Sequence, residues 1–252
     1  MRQEVGAATR TWLDGVRIDD AVARLRADYR TVIVVAEGLQ AGPGDARSEA
    51  LLRAAEELAS RTVSGSPQGA GSGSRPAPGH PHLDAWRAAF DDFGAKPSRT
   101  RPSVDALLRR LPSLPRIDRL TDLYNAISIA HVVPIGGEDL DQYAGPAVLT
   151  RATGDESFGT TANGEPVIDH PAPGEVIWRD NTGVTCRRWN WRQCTRTRLS
   201  ATTTRAVFII DALTGIGDTG LHAAASDLAG VLSESGPDVA LAQRIIRASD
   251  QL

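Results

Sequence analysis

The sequence predicts an α+β fold in which a mostly antiparallel sheet is flanked by helices. Segments with helical spacing of apolar residues occupy both ends of the 252-residue chain. Short apolar runs separated by turn residues fill residues 145–211, a pattern typical of antiparallel strands. The composition, 41% hydrophobic and 23% charged, is that of a globular domain that buries a core without a disulfide or metal.

The N-terminal segment is predicted to place helices around one buried strand. Apolar residues recur at helical spacing over residues 11–29, which form either one helix or two short helices broken near Gly15. The β-branched run at 31–36 predicts a buried strand. Residues 46–61 carry leucines on one face and charges elsewhere, which predicts an amphipathic helix.

A segment rich in Gly, Ser and Pro, residues 64–81, is predicted to be a flexible loop. The chain before it offers one strand and two helices, too little for an independent core. We therefore expect one domain over residues 1–252, with this loop as an excursion from it.

The middle of the chain is predicted to be helical and broken by turns. Residues 82–95 form a helix that Gly94 ends. Ser103 is expected to cap a helix over 104–111. The Pro-Ile-Gly-Gly segment at 134–137 is predicted to be a turn.

The C-terminal part is predicted to contain four strands and two helices. The strands are 147–151, 176–179, 185–189 and 206–211, with a hairpin-type turn at 180–183. The helices are 219–233 and 238–250, so that helices close the chain over 219–250.

The formal net charge of −3 hides an uneven distribution. Residues 138–175 are strongly acidic, whereas residues 179–205 are rich in arginine and tryptophan, and a second basic group lies at 96–110. Arginines among aromatic residues are typical of single-stranded nucleic-acid surfaces, but a solvated face above core tryptophans has the same pattern. Lys96 is the only lysine among 28 basic residues, which reflects either base composition or a preference for bidentate phosphate contacts.

Trp189 and Trp191 are two residues apart, so on a strand they share one face. They form either one wall of a pocket or a patch of core. Asp211 ends an apolar strand, as a turn residue or as the polar floor of a pocket.

Most enzyme signatures are missing from the sequence. It lacks a phosphate-binding Gly-Lys-Ser/Thr loop, a dinucleotide fingerprint and a Gly-x-Ser-x-Gly elbow. Cys186 and Cys194 have no zinc-type spacing, and His131 is predicted to be a buried, hydrogen-bonded side chain. The acidic run 138–141 is expected to cap a turn rather than bind a divalent cation. We expect no metal and no cofactor.

No run of 18 apolar residues and no apolar signal core occurs in the sequence. We therefore expect a cytoplasmic protein with no membrane partner.

Ordered phrases between residues 86 and 213 carry a family resemblance. They are Trp86-Arg87, Lys96-Pro97-Ser98, Arg101-Pro102-Ser103, Asp122-Leu-Tyr-Asn125, Pro134-Ile-Gly-Gly-Glu-Asp139, Leu149-Thr-Arg151, Arg187-Arg188-Trp189-Asn190-Trp191-Arg192 and Phe208-Ile-Ile-Asp211. In order and spacing they resemble the B3/B4 domain, the editing module of the bacterial phenylalanyl-tRNA synthetase beta subunit, and especially its free-standing relatives.

The resemblance implies a B3/B4-like α+β domain whose sheet lines a pocket for the aminoacyl end of a charged tRNA. In the family, hydrolysis relies on a placed water and the tRNA's terminal ribose hydroxyl, so no catalytic side chain is assigned. The implied pocket residues are Asn125, Pro134, Asp139, Trp189, Asn190, Trp191 and Asp211. The implied tRNA-binding residues are Arg101, Arg109, Arg187, Arg188, Arg192 and Arg196.

Two positions depart from the family pattern. Gly136 stands where the family has a histidine, and Glu138 stands where it has an aromatic residue. With tryptophans also in place of small residues, the pocket is expected to have another shape, which puts tyrosine specificity in doubt.

Three functions remain open from the sequence. The first is a trans-acting deacylase that hydrolyses mischarged aminoacyl-tRNA. The second is a module that binds aminoacyl-tRNA or an amino acid without hydrolysis, and the third is a small-molecule protein without tRNA contact. In the first two the partner is tRNA rather than DNA.

Overall fold

Seven α-helices and eleven strands make up the part of the chain that the computed structural model describes, residues 3–64, 79–96 and 99–251. The helices are α1 (Ala7–Gly15), α2 (Asp20–Leu25), α3 (Ala46–Ser64), α4 (Pro81–Asp92), α5 (Ser103–Leu108), α6 (Arg119–His131) and α7 (Asp218–Ser233). The strands are β1 (Arg17–Ile18), β2 (Arg30–Glu37), β3 (Ile135–Asp139), β4 (Val148–Arg151), β5 (Phe158–Ala162), β6 (Glu165–Asp169), β7 (Val176–Arg179), β8 (Val184–Arg187), β9 (Arg192–Gln193), β10 (Arg205–Ala212) and β11 (Ala240–Arg247).

The strands form two main sheets and one hairpin. One sheet has the order β11-β2-β10-β3 and is antiparallel throughout. The other has the order β1-β4-β7-β8-β9, with one parallel pair between β1 and β4. Strands β5 and β6 form a separate hairpin. The predicted α+β class, with a mostly antiparallel sheet and flanking helices, is confirmed.

The four-stranded sheet is buried on both faces, because successive side chains of a strand point to opposite sides. Ile33, Val207 and Ile209 pack with the five-stranded sheet and with α4. Val34 and Phe208 belong to the other face, which packs on α6 and α7. The same strands therefore serve two cores, and the first of these lies beside the site described below.

Helix α6 lies unusually close to the sheet at Gly137. A Cβ atom at Gly137 would lie 2.8 Å from Cε1 of Phe208 and 2.9 Å from Cε1 of Tyr124. Rigid aromatic rings cannot yield this space, so only glycine allows α6 its position.

The largest correction concerns the C-terminus, where α7 confirms the helix predicted at 219–233 but 238–250 is not helical. Residues 240–247 form β11, which pairs with β2 along eight residues. Their Ala, Leu, Gln and Arg residues favour helices, but the free edge of β2 gives this segment a partner, and tertiary pairing overrides the local preference.

Three local predictions are also wrong. The predicted turn at 134–137 is mostly strand β3, since its backbone pairs with β10. Ser103 is the first residue of α5, and the capping residue is Pro102. Strand β8 ends at Arg187, and Trp189 has a left-handed φ of 65° in the turn that follows. Trp189 and Trp191 therefore do not share a strand face.

Other predictions resolve as follows. Of the two options for 11–29, the structure has two short helices, with β1 between them. Cys186 and Cys194 are buried and free. His131 is half-buried and pairs with Asp227, whereas the buried histidine is His82, whose ring nitrogens contact Val132, Trp86 and Leu213.

The predicted flexible loop 64–81 lies largely outside the described residues. Among the helices of the described residues, none has the length and apolar character needed to cross a membrane.

Candidate functional site

A cavity of about 430 Å³ opens between helices α5 and α6 on one side and the two main sheets on the other. Its floor is formed by Gly136 and Glu138 of β3 and by Ile209 and Asp211 of β10. Asn125 of α6 lies in one wall. The opposite wall is the segment from Cys186 to Gln193, and the mouth is lined by arginines from 99–110 and from β9.

The pairing register explains why the two floor carboxyl groups face the same cavity. Glu138 lies opposite Val207, and Gly136 lies opposite Ile209. Asp211 lies on β10 two residues beyond Ile209, so it shares that face. The glycine lies between the two acidic positions and leaves the floor open there.

Asp211 is buried and receives hydrogen bonds from neutral donors. The Tyr29 hydroxyl donates to Oδ1 at 2.5 Å, and the Asn190 amide donates to Oδ2 at 3.2 Å. Burial raises the pKa of Asp211 to about 7, although both hydrogen bonds act to lower it. The carboxyl group is therefore poised to gain or lose a proton near neutral pH.

Glu138 is buried in a similar way at the other end of the floor. The Tyr143 hydroxyl donates to its Oε2 at 2.5 Å. Burial raises the pKa of Glu138 to about 6, against hydrogen bonds from Tyr143, Thr197 and Gln193 that lower it. Near pH 7 this side chain is mostly ionised.

Cys186 lies near both acids. Burial raises the pKa of its thiol well above the usual value, and the charges of Glu138 and Asp211 raise it further. The cysteine therefore remains a neutral thiol, which is a poor nucleophile.

Gly136 sets the width of the floor. A Cβ atom at this position would lie 3.1 Å from Nε2 of Gln193. The same Gln193 amide donates to the Gly137 carbonyl at 2.9 Å, which fixes the wall of the cavity above the glycine. A larger side chain here would fill space that is open in this chain.

Asn125 is the polar group that the fold leaves unused. The residue is only 6% exposed, and its amide makes no hydrogen bond to a partner among the described residues and remains open to the cavity. Trp178 Nε1 and the Ser103 hydroxyl, which also line the cavity, are buried without such a partner in the same part of the chain. Buried polar groups are rarely left unpaired, so these atoms indicate a polar ligand.

The cavity mouth is cationic. Arg99, Arg110 and Arg192 form no ion pair within residues 3–64, 79–96 and 99–251. The nearest carboxylate to Arg101 is Asp105, at 3.9 Å from its Nε. These guanidinium groups are therefore available for phosphate oxygens.

An aromatic platform lies beside the mouth. The Trp191 ring is 4.5 Å from the guanidinium carbon of Arg188 and 4.8 Å from that of Arg192. Trp189, in contrast, is fully buried and packs on Tyr29 and Trp86. Trp189 is thus a core residue, and Trp191 is part of the cavity mouth.

Five of the seven predicted pocket residues line the cavity. They are Asn125, Trp189, Asn190, Trp191 and Asp211. Pro134 and Asp139 do not line it. The Pro134 carbonyl accepts from the Asp211 backbone, and Asp139 lies on the opposite face of β3 from Glu138, where it accepts from the Asp141 backbone and the Thr203 hydroxyl. The predicted capping role of the acidic run is thereby confirmed for Asp139.

The six predicted tRNA-binding arginines fall into two groups. Arg101 and Arg192 lie at the mouth, with Arg188 adjacent. Two of these three also have a longer carboxylate contact, Arg101 with Asp105 at 3.9 Å and Arg188 with Glu175 at 3.4 Å. The other three are held by carboxylates: Arg109 by Asp105, Arg187 by Glu175 and Asp169, and Arg196 by Asp180. Arg187 is buried, and each of its three nitrogens donates to Glu175 or Asp169, so its charge is already compensated within the fold.

Sequence reasoning did not assign several cavity residues. The sequence indicates Glu138 only as part of the acidic run and as a departure from the family pattern, Gly136 only as such a departure, and Arg99 and Arg110 only as part of a basic group. The alternation of β3 is the signal that places Glu138 on the cavity side. Nothing in the sequence indicates that Tyr29 contacts Asp211.

No cluster of three or more potential metal ligands occurs among the described residues. The arrangement can bind an anionic group at the mouth and a cationic group at the floor. It can also hold a carbonyl group or a water against the Asn125 amide.

Residues 85–248 match the B3/4 domain family. Among solved structures, the chain is similar to an N-terminal fragment of the phenylalanyl-tRNA synthetase beta-subunit from Pyrococcus horikoshii, with 13% identity and a TM-score of 0.44. The match covers 90% of this chain and 49% of that one, so the chain spans about half the length of the fragment. No curated protein matches.

Proposed function

The chain belongs to the B3/4 domain family, and on that premise we propose that it acts on aminoacyl-tRNA. More specifically, its cavity receives the aminoacyl end of a charged tRNA and hydrolyses the ester. The match covers residues 85–248, and we also propose that residues 1–252 form a single domain around it.

The distribution of charge in the cavity carries this proposal. Arginines without carboxylate partners among the described residues line the mouth, while the ionisable acids Glu138 and Asp211 form the floor. The 3′ end of an aminoacyl-tRNA has the matching polarity, because its phosphodiester is anionic and the α-amino group of its amino acid is cationic. Guanidinium groups bind phosphate, and carboxylates bind ammonium.

Hydrolysis requires no protein nucleophile in this scheme. A water molecule attacks the ester carbonyl carbon and gives up a proton, and the carbonyl oxygen becomes an oxyanion. As the oxyanion collapses, the bond to the ribose oxygen breaks, and the proton from the water is taken up by that ribose oxygen. The Asn125 amide is the free donor for the oxyanion, and such a donor contributes about 10²–10³-fold in rate. Binding the substrate at both its phosphate and its ammonium group orients the ester, and this orientation supplies the rest of the rate enhancement.

A panel of correctly charged and mischarged tRNAs tests the proposal, with ester hydrolysis as the readout. We expect at least one aminoacyl-tRNA to be hydrolysed faster than it hydrolyses spontaneously, and Asn125→Ala to lower that rate about 10²-fold. Arg24→Ala is a matched control for surface changes, since Arg24 is exposed and far from the lining of the cavity. Absence of turnover on every tRNA would contradict the deacylase.

A non-hydrolytic binding module is the second candidate. The observation that favours it is that the described cavity residues offer groups that hold a ligand but no activated nucleophile, since burial and the nearby acids keep the Cys186 thiol neutral. In this case the protein holds the aminoacyl group and passes it on. Tight, salt-sensitive binding of charged tRNA without turnover would distinguish it from the deacylase.

The proposed substrate also accounts for the expected location. Charged tRNA occurs in the cytoplasm, and we propose that the protein works there.

A further inference from the structure

The floor of the cavity holds two carboxyl groups, one more than an aminoacyl ester needs for its α-ammonium. Glu138 and Asp211 lie on the same face of the four-stranded sheet, with Gly136 between their rows. Both are almost fully buried, with 2% and 3% of their surface exposed. The second carboxyl group therefore requires its own explanation.

The protein provides no close cationic partner for either group. Asp211 accepts from the Tyr29 hydroxyl and the Asn190 amide, and Glu138 accepts from the Tyr143 hydroxyl. The nearest guanidinium to act on Glu138 is that of Arg196, but both of its terminal nitrogens donate to Asp180. An ionised carboxylate buried without a counter-ion is unfavourable, and a cationic ligand would remove that penalty.

The unpaired Asn125 amide is a second, independent indication of a ligand. It is more than nine-tenths buried, lines the same cavity and has no partner among the described residues. The floor is thus part of an enclosed site with a free amide in its wall, rather than an acidic patch on a surface.

We propose that the cavity selects an aminoacyl group with a basic side chain, of the lysine or ornithine type. This inference rests on the proposed function, which supplies the first cation, the α-ammonium. One floor carboxylate binds that ammonium, and the other binds the ammonium at the end of the side chain. The arginines of the mouth remain on the phosphates, outside the reach of the side chain.

The spacing of the floor suits such a ligand. Along β10 the row of Glu138 and the row of Asp211 are four residues apart, about 13 Å at roughly 3.3 Å per residue. An extended lysine-type chain with a hydrogen bond at each end is of comparable length, and its methylene groups would pass over Ile209 and Gly136.

Calorimetric titration with two small amides tests this selection without tRNA. Lysinamide carries both ammonium groups, whereas norleucinamide has the same main-chain cation and a neutral side chain of similar length. We expect lysinamide to bind at least about tenfold more tightly. Equal affinities, tighter binding of norleucinamide, or no binding of either amide would overturn the inference.

Variants identify the groups responsible. Of Glu138→Gln and Asp211→Asn, one is expected to abolish the preference and the other to weaken the binding of both amides alike. Glu57→Gln, an exposed acid outside the cavity lining, should preserve both the preference and the affinities. Circular dichroism of each variant checks the fold. If a variant fails to fold, the ratio of the two amides' affinities for the wild-type protein still tests the preference for a basic side chain.

Hydrolysis assays separate this inference from the proposed function. Faster hydrolysis of lysyl-tRNA than of norleucyl-tRNA supports both. Hydrolysis with no preference for a basic side chain contradicts the inference and leaves the deacylase intact. A preference for lysinamide without hydrolysis of any charged tRNA contradicts the deacylase and leaves the selection intact.

Discussion

Buried carboxyl groups occur in two different settings in this molecule. Glu175 is buried beside β8, where both of its oxygens accept from the guanidinium of Arg187. Asp211 and Glu138 are buried to the same degree, but they accept from hydroxyl and amide groups. The first setting is a closed ion pair, and the second is a pair of acids with raised pKa values facing a cavity.

The difference indicates which acids serve the fold and which serve a ligand. The chain is rich in arginine, and arginine side chains form ion pairs with the buried acids Asp105, Asp180 and Glu175. The fold therefore pairs other buried acids with arginines, yet Glu138 and Asp211 have no arginine as a close partner. Acids that a fold leaves uncompensated in a polar cavity are candidates for binding or catalysis.

Removal of Arg187 should produce the largest effect on stability. Arg187→Leu leaves the buried Glu175 with only the longer contact to Nε of Arg188, at 3.4 Å, so the free energy of unfolding should fall by up to about 3–5 kcal/mol. Urea denaturation measures it, and the double variant with Glu175→Leu should recover much of the loss. A loss below about 1 kcal/mol would show that the two settings do not differ.

Asp211→Asn should have the opposite effect. The pKa of Asp211 is about 7 in the folded state and about 3.9 in the unfolded chain, so between these values the folded state binds more protons. Wild-type stability therefore falls as pH rises from about 4 to 7 and stays reduced above it, by up to about 4 kcal/mol. The variant should lose this decline and be the more stable protein at pH 8.

Denaturation of both proteins at pH 5, 6, 7 and 8 provides the measurement. The difference in unfolding free energy should widen steadily with pH. Parallel curves would contradict the raised pKa and with it the contrast between the two settings.

Arg192→Ala should weaken tRNA binding without changing the fold. Arg192 is exposed and lines the mouth, so its loss removes about one phosphate contact, and the slope of log affinity against log salt should decrease by about 0.7–0.9. The free energy of unfolding should change by less than about 0.5 kcal/mol. Arg24→Ala serves as the control, and an equal change in its salt slope would contradict a specific role for the mouth.

Gly136→Ala should give the smallest effect on stability. The added Cβ meets only the flexible end of Gln193, so we expect a loss of at most about 1 kcal/mol and a few-fold weaker binding of the ligand. Gly137→Ala is the matched comparison on the other face, where the Cβ meets the rings of Phe208 and Tyr124, and it should destabilise by more. Thermal unfolding of both variants shows whether an added methyl group is tolerated on the cavity face of β3 and destabilises the protein on the opposite face.

The sequence predicted those parts of the fold in which local pattern and tertiary contacts agree. The β-branched run of β2 and the amphipathic pattern of α3 are such cases. Strand β11 could not be predicted, because its residues favour a helix and its pairing with β2 depends on a segment about 200 positions earlier. The turn containing Trp189 was missed for a related reason, since its left-handed backbone departs from the strand pattern of its neighbours.

The candidate site was predictable in part. The resemblance pointed to Asn125 and Asp211, and both line the cavity. It could not separate free arginines from paired ones, because the partners of Arg187 and Arg196 are 12 and 16 residues away and reach them only through the sheet. Glu138 required the register of β3, which the predicted turn at 134–137 concealed.

The most direct test of the central claim compares charged with uncharged tRNA. An aminoacyl group joined to the terminal ribose by an amide bond resists hydrolysis, so its affinity can be measured beside that of the uncharged tRNA. The polarity of the cavity predicts that the charged form binds wild-type protein at least about tenfold more tightly and that Asp211→Asn reduces this ratio towards one. Equal affinities of the wild-type protein for the two forms would contradict an aminoacyl group on the carboxylate floor.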